Sequence, residues 1–297
     1  MSRSPSPHFR RTLLAAALLS LVPFAAAATY RAETALSWTE NISRSSSPVD
    51  WQDAFSVDVA GVGTWVRQLA PSLTGVLEAE LAAHSTPEFS RLAYGFAGAE
   101  GRLSRKFGLG PLAPVVSAAI SAGGKLARID ADRGVTTQAG LRASKRFTEA
   151  WQVGTGVEWM RHHADTATFD VSHRKVWGEV SWDITDRWRL TYGYGRLRGN
   201  FIANAGPVIW NRALAGLISP AVAQYYNTVP WEVTDSYGRG WVTYNVTGQA
   251  RFWWLELSPA LTDATSLSLR YDSVFTKNII SVKYRQDLWK LSLLHRF

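Results

Sequence analysis

The sequence predicts an all-β protein, an antiparallel transmembrane β-barrel of about twelve strands, and three observations point there. First, the chain of 297 residues carries 14 Trp, 10 Tyr and 12 Phe along its length, yet beyond its first 28 residues it has no apolar run long enough for a spanning helix. Second, segment after segment alternates apolar and polar residues, the period of two that sends side chains to opposite faces of a strand. Third, the chain ends on such a segment, with Trp289, Leu291, Leu293, His295 and Phe297 on one face and Leu288, Lys290, Ser292, Leu294 and Arg296 on the other. In lipid every backbone polar group needs an internal partner, so a chain without spanning helices crosses only as a closed barrel.

The first 28 residues are read as a signal peptide rather than as structure. Arg3, Arg10 and Arg11 form a basic start, Thr12 to Phe24 an apolar stretch, and Ala25 to Ala28 the small residues of a cleavage site. Residues 29–297 then form a single barrel domain. There is no cysteine, which excludes disulfides and a lipid anchor on a mature N-terminal cysteine. The formal charge is +8, and removing the three arginines of the signal leaves +5, a mild excess that suits anionic solutes or lipopolysaccharide phosphates.

The strands follow in order. Residues 34–43 place Leu36 and Trp38 opposite Ser37, Thr39 and Asn41; 53–69 place Phe55, Val57, Val59 and Trp65 opposite Ser56, Asp58, Thr64 and Gln68. Residues 73–83 set Leu77 and Leu81 against Glu78 and Glu80, and 90–106 set Leu92, Tyr94 and Phe96 against Arg91 and small residues. Two strands, 115–129 and 135–147, are joined through Asp130 to Gly134. A strand from Trp151 sets Trp151, Val153, Val157 and Trp159 against Gln152 and Glu158; 171–184 sets Val176, Val180 and Trp182 against His173, Lys175, Glu179 and Asp183. Residues 188–198 pair Trp188, Leu190, Tyr192 and Tyr194 with Arg189, Thr191 and glycines. After a long connection, 201–234, the strand 237–257 puts Val242, Tyr244, Val246, Phe252 and Trp254 outward and Arg239, Thr243, Gln249 and Arg251 inward. Residues 266–275 and 279–297 complete the count.

Twelve strands put both termini on one side, the periplasm, and the even-to-odd connections are indeed the short ones. Three of these turns share a pattern, Phe147-Thr148-Glu149-Ala150-Trp151, Ile184-Thr185-Asp186-Arg187-Trp188 and Leu261-Thr262-Asp263-Ala264-Thr265, in which the acid after the threonine caps the turn. The flanking aromatics stand where a girdle at the lipid interface belongs. A soluble sandwich would alternate too, but outward Trp and Tyr at nearly every turn would then face water.

Function is sought on the inner face, because lumen residues tune selectivity whereas lipid-facing ones set stability. The lumen-lining candidates are Arg142, Arg146, Glu158, Glu179, Asp183, Arg189, Arg239, Arg251 and Arg270. They form facing basic and acidic walls that orient polar solutes or, equally, a salt-bridged filling. The long connection is too apolar for a solvated loop; Trp210, Leu214, Leu217 and Ile218 fall near one helical face, and Trp210, Arg212, Tyr225 and Tyr226 are candidates for a constriction in the barrel mouth. His162, His163, Asp165 and His173 match no metal-ligand spacing and read as a surface cluster. No catalytic residue, metal or other cofactor is expected.

The closing strand, with its alternating apolar residues running into Phe297, resembles the signal by which the assembly machinery of bacterial outer-membrane barrels recognises its clients; His295 stands where those clients carry a second aromatic. The opening strand, Leu36-Ser37-Trp38-Thr39-Glu40-Asn41-Ile42, resembles that of barrel porins encoded with exopolysaccharide synthesis systems. These resemblances imply an outer-membrane channel for small polar or anionic solutes, saccharides among them. Its partners would be outer-membrane lipid and lipopolysaccharide, the assembly machinery and a small solute, and not nucleic acid. A barrel enzyme hydrolysing lipid or peptide, and a non-conducting structural barrel linked to exopolysaccharide export, stay open as alternatives.

Overall fold

A computed structural model describes residues 28–297; the signal peptide expected over residues 1–28 lies outside the described residues, apart from Ala28, which opens the first strand. Twelve long strands close on themselves: β1 (Ala28–Glu40), β2 (Ala54–Ala70), β3 (Leu73–Ser85), β4 (Tyr94–Lys106), β5 (Val115–Ala127), β6 (Gly134–Arg146), β7 (Trp151–Ala164), β8 (Val171–Thr185), β9 (Trp188–Ala205), β11 (Val242–Pro259), β12 (Thr265–Asn278) and β13 (Lys283–Arg296). The three-residue β10 (Trp231–Val233) is an accessory pairing to β11. All pairings are antiparallel between successive barrel strands, β9 passing directly to β11. The seam is β1 against β13, in register from Arg31↔Arg296 to Glu40↔Asp287. Closure leaves no unpaired edge, which is what a sheet in lipid requires.

The five short turns lie at one end with both termini, and the long loops at the other. At the short end the threonine, not the acid after it, makes the cap: Thr148 Oγ1 accepts from the Trp151 N–H at 3.1 Å, Thr185 Oγ1 from Arg187 at 3.2 Å and Thr262 Oγ1 from Thr265 at 3.0 Å. A hydroxyl two or three residues upstream reaches the turn's free N–H groups; an acid at the tip points to solvent. Around the wall, outward residues such as Leu81, Leu126 and Ile120 are exposed and their neighbours half-buried. Outward Trp151 and Trp159 are eight residues apart on β7, about 20 Å along the axis at ~3.3 Å per residue and ~40° of tilt. That separation fits the apolar band of an outer-membrane barrel.

The loop end departs most from expectation. β9 runs on to Ala205 rather than stopping near Arg198, and β11 starts at Val242 rather than Tyr237. Above Gly199 and Gly248, which face each other, this two-stranded arm is covered on both sides: Val242, Thr243, Tyr244, Asn245 and Val246 are all buried. A Cβ on Gly248 would run into the backbone of Lys277, and one on Gly199 into the backbone of Ser172, so both strands need glycine where the arm bends away from its neighbours. One face of the arm takes two short helices, α1 (Pro207–Leu214) and α2 (Pro220–Tyr226), through Trp210, Ala213 and Tyr226. Toward the other come Ile129 and Phe169 from neighbouring loops, packed with Ile202. The helical face expected through Leu217 and Ile218 does not form, because α1 ends at Leu214 and Gly216 turns with φ +74°; both residues are exposed.

Candidate lumen site

Inward side chains come from odd positions of β1, β5, β8 and β9 and from even positions of β2, β3, β4, β6, β7, β11, β12 and β13. On most strands this agrees with the alternation read from the sequence. On β4 and β11 it is reversed: Tyr94 and Phe96 of β4 face the lumen, Tyr94 under Lys125 and Phe96 over Gly123 of β5, where a Cβ would meet its ring. On β11 the consequence is larger. Ala250, Phe252 and Trp254 face the lumen, while Arg251 is exposed on the outer wall between Arg196 and Phe275. Arg239, expected on the same inner face, is exposed in the loop ahead of β11. The physical reason lies across the strand: Trp254 pairs with Gly193 and Phe252 with Gly195, and a Cβ on either glycine would collide with the ring opposite. The glycines of β9 provide flat berths for inward aromatics, so apolarity on β11 marks the inside. Trp177 on β8 lies over Gly156 in the same way.

The remaining lumen candidates come together as pairs. Arg142 donates to Glu179 at 2.6 Å. Arg146 and Arg189 converge on Asp183 at 2.9 and 2.5 Å. Glu158 meets Lys175 at 3.6 Å, and Arg270 sits between Asp272 at 2.6 Å and Glu256 at 3.5 Å. Several of these cations also cover a ring: Arg142 over Trp177 at 5.3 Å, Lys175 over Phe252 at 5.7 Å and Arg270 over Trp254 at 5.2 Å. A fourth station pairs Lys125 with Asp132 at 2.6 Å and with the Tyr94 ring at 4.7 Å. At these four stations the cation is held by a carboxylate and an aromatic face, while Arg146 and Arg189 share Asp183. Such contacts are individually weak where half exposed, about 0–1 kcal/mol each, but together they fix side chains that would otherwise sweep the lumen. Phe252 stacks on Trp254 at 5.8 Å, and Trp177 meets Trp254 edge-on at 6.3 Å, so the rings form one patch. The sequence signal for it was the Gly193 and Gly195 alternation on the strand opposite.

Space remains between the walls. A cavity of about 570 Å³ lies beneath the arm, lined by His173, Lys175, Phe252, Arg270 and Glu158 among others. A second of about 410 Å³ shares Glu158 with it and continues past Arg142 and Glu100. A third of about 190 Å³ shares Gln138 and Glu100 with the second.

The constriction candidates divide. Trp210 and Tyr226 are buried on the arm, Trp210 stacked on Tyr244 at 4.9 Å and the Tyr226 hydroxyl 3.0 Å from that of Tyr284. Burial pushes the Tyr226 hydroxyl above its ordinary range, so it stays protonated and available to that contact. Tyr225 is half-buried and Arg212 exposed. Polar ties hold the roof to the other loops: the Gly206 N–H donates to Asp50 at 2.8 Å, Asn204 to the Ser43 carbonyl at 2.8 Å and Tyr237 to the Ile42 carbonyl at 2.9 Å. Burial raises the Asp50 carboxyl above its usual range, against the lowering effect of the Gly206 N–H.

His162 and His163 are consecutive on β7 and so point to opposite faces, His162 to Thr136 at 2.9 Å and His163 to Asp170 at 2.8 Å. Among the described residues no group of three or more potential ligands forms a metal site. A relay that the sequence reading missed does exist inside: Asp58 to His84 at 2.7 Å, His84 to Thr86 at 3.2 Å and Thr86 to Ser56 at 2.8 Å. It has the connectivity of a hydrolase relay, but the Thr86 and Ser56 side chains are buried, so no acyl group reaches either hydroxyl. It braces β2 to the loop after β3.

No protein-family model matches the chain, and no curated protein matches it by sequence. Among solved structures, an outer membrane channel from Pseudomonas putida F1 is similar over 93% of this chain and 98% of that one, with a TM-score of 0.51 at 11% identity. The KdgM porin is similar over 89% of this chain and 99% of that one, with a TM-score of 0.44 at 8% identity. The NanC porin is similar over 89% and 98%, with a TM-score of 0.46 at 6% identity. Likeness at such identity speaks for the fold alone. The closed wall of twelve antiparallel strands, with rings outside and charges within, makes this chain a β-barrel of the outer-membrane class.

Proposed function

We propose that the barrel is a narrow channel for small polar or anionic solutes, saccharides among them, in the bacterial outer membrane, with its loops outside. The carrying observation is the run of neighbouring cavities, each sharing lining residues with the next, inside a wall that carries ring faces and paired charges. Rings accept the apolar faces of a sugar, while carboxylates and guanidinium groups exchange hydrogen bonds with its hydroxyl or carboxylate groups. Because the inward cations nearly all stand beside acids, and Arg251 and Arg239 are outside the lumen, the channel is only weakly ion-selective rather than strongly anion-selective. Export through a cleaved leader over residues 1–28, and assembly through recognition of β13 with Phe297, belong to the same reading; the His295 ring meets Phe297 edge-on at 4.8 Å and takes the place of the second aromatic.

The test is single-channel conductance of the refolded chain in planar bilayers under a salt gradient. We expect small steps of weak selectivity, a shift toward anions in Glu179→Gln, which frees the charge of Arg142, and current block by saccharides. Silence from a barrel with folded-form gel mobility overturns the channel in favour of the roofed, structural reading, which the buried β9–β11 arm favours.

A further inference from the structure

We propose that the outer wall of β7 to β13, at its loop end, is a docking surface for the phosphorylated headgroups of outer-leaflet glycolipid, the lipopolysaccharide type. This goes beyond the channel reading and needs only that the loop end face the outer leaflet. Eight basic side chains project outward there and all are exposed; Arg161 on β7 and Arg285 on β13 have acids of their own, Asp170 at 3.7 Å and Asp287 at 2.8 Å, and the other six are Arg174 on β8, Arg196 and Arg198 on β9, Arg251 on β11, Lys277 on β12 and Lys283 on β13. They stand directly opposite one another across the ladders, Arg174 with Arg198, Arg196 with Arg251 and Lys277 with Lys283, and Gln249 bridges Arg198 to Lys277 in register. Like charges in direct cross-strand pairs destabilise a sheet unless something neutralises them. Among the described residues none of these six has a carboxylate within ion-pair distance.

Height and sidedness identify the occupant. Arg174 is paired directly with Trp159, and Arg251 with Phe275, outward aromatics of the upper girdle; the bases therefore lie at the boundary where acyl chains end and headgroup phosphates begin. On the opposite half of the barrel, the outward strand residues near the loop end are Phe55, Leu81, Leu126 and Val135, and the exposed bases there, Arg91 and Arg128, stand in the loops above the wall rather than opposite one another across a ladder. Outward bases paired directly across the ladders occur on this side of the wall alone among the described strands, and such a field backed by aromatics fits an amphiphile with acyl chains below and phosphates above. The four arginines supply planar forks that grip phosphate oxygens in pairs.

The experiment measures binding of bisphosphorylated lipid A to the refolded full chain in neutral-detergent micelles, against its dephosphorylated counterpart with the same acyl chains. We expect the phosphorylated lipid to bind at least about ten-fold more tightly. The variant combining Arg174→Gln, Arg196→Gln, Arg198→Gln and Arg251→Gln should lose that margin, while Arg91→Gln with Arg128→Gln, exposed bases on the other half, should keep it. Folded-form gel mobility checks each barrel, and Arg251→Gln alone, expected to lose about two-fold, serves if the fourfold variant does not fold. Equal binding of the two lipids overturns the proposal, as does equal loss in the Arg91 and Arg128 variant. Displacement of the lipid by millimolar inorganic phosphate would make this a free-anion site and overturn the lipid assignment. The readout is binding, so a silent channel leaves it intact.

Discussion

The inner and outer walls of this barrel treat positive charge in opposite ways. Inside, Arg142, Lys175 and Arg270 each have a carboxylate and a ring; outside, Arg174, Arg196, Arg198 and Arg251 face one another with no acid between them. The contrast teaches where neutralisation comes from. A lumen cation shares a confined space with groups of its own chain, so its partner is encoded on the same strand or one a short way round the wall, as far as β6 to β8 for Arg142 and Glu179. A cation on the outer wall borders another phase, and where the chain gives it no acid, as at these four arginines, the proposed glycolipid supplies the counter-charge.

The strongest way to break the contrast is to remove the ring patch from the lumen. Trp254→Ala takes away a buried side chain packed against Phe252, Trp177 and the Arg270 guanidinium. It should lower stability by about 3 kcal/mol in denaturant unfolding, while raising unit conductance, because the space vacated is in the pore. Unchanged conductance would show that the patch lies off the solute path.

A smaller effect should change sign with the surroundings. Replacing Arg196 and Arg251 together by leucine removes a like-charged pair from a lipid-facing wall, so in neutral phospholipid the barrel should gain about 1 kcal/mol. In membranes containing phosphorylated lipid A the same variant should be the less stable of the two. Equal shifts in both lipids would remove the distinction between self-neutralised and membrane-neutralised charge.

The smallest effect concerns the roof. Burial raises the Asp50 carboxyl, so the folded chain holds that proton more tightly than the unfolded chain. Its stabilising share is therefore fully present in acid and is lost as pH rises from the usual carboxylate range through the raised value. Asp50→Asn still offers an oxygen to the Gly206 N–H but does not titrate. The thermal midpoint of the wild type minus that of this variant should fall with rising pH across that window and be flat above it; a difference that rises with pH would contradict the burial of Asp50.

Much of the wall was legible from sequence because lipid imposes one rule on every strand. Trp151, Val153, Val157 and Trp159 opposite Gln152, Glu158 and the glycines leave β7 a single way to face, and the short turns fix the order of strands. The rule failed on β4, where Phe96 turns inward over Gly123, and on β11, each time for a reason that lies on another strand. Val242, Tyr244, Phe252 and Trp254 look like a lipid face until Gly193 and Gly195 are brought beside them, and the alternation of one strand says nothing of its neighbour's register. The long connection was recognised as too apolar for solvent, and Trp210 and Tyr226 are buried in the mouth; that β9 itself extends to meet them was hidden, because Asn200 and Asn204 read as loop polarity until their partners, Asn245 and Thr243 on β11 and the Ser43 carbonyl, are seen.

Sequence by itself determined that the chain is a barrel, roughly how many strands it has and which turns are short, since these follow from a local period of two and from the demand that backbone groups in lipid be paired. Tertiary structure alone decided which face of β11 looks inward, which acid holds which base and how the mouth is roofed. Those depend on cross-strand register and on contacts between residues as far apart as Asp50 and Gly206, and such contacts exist only once the sheet has closed.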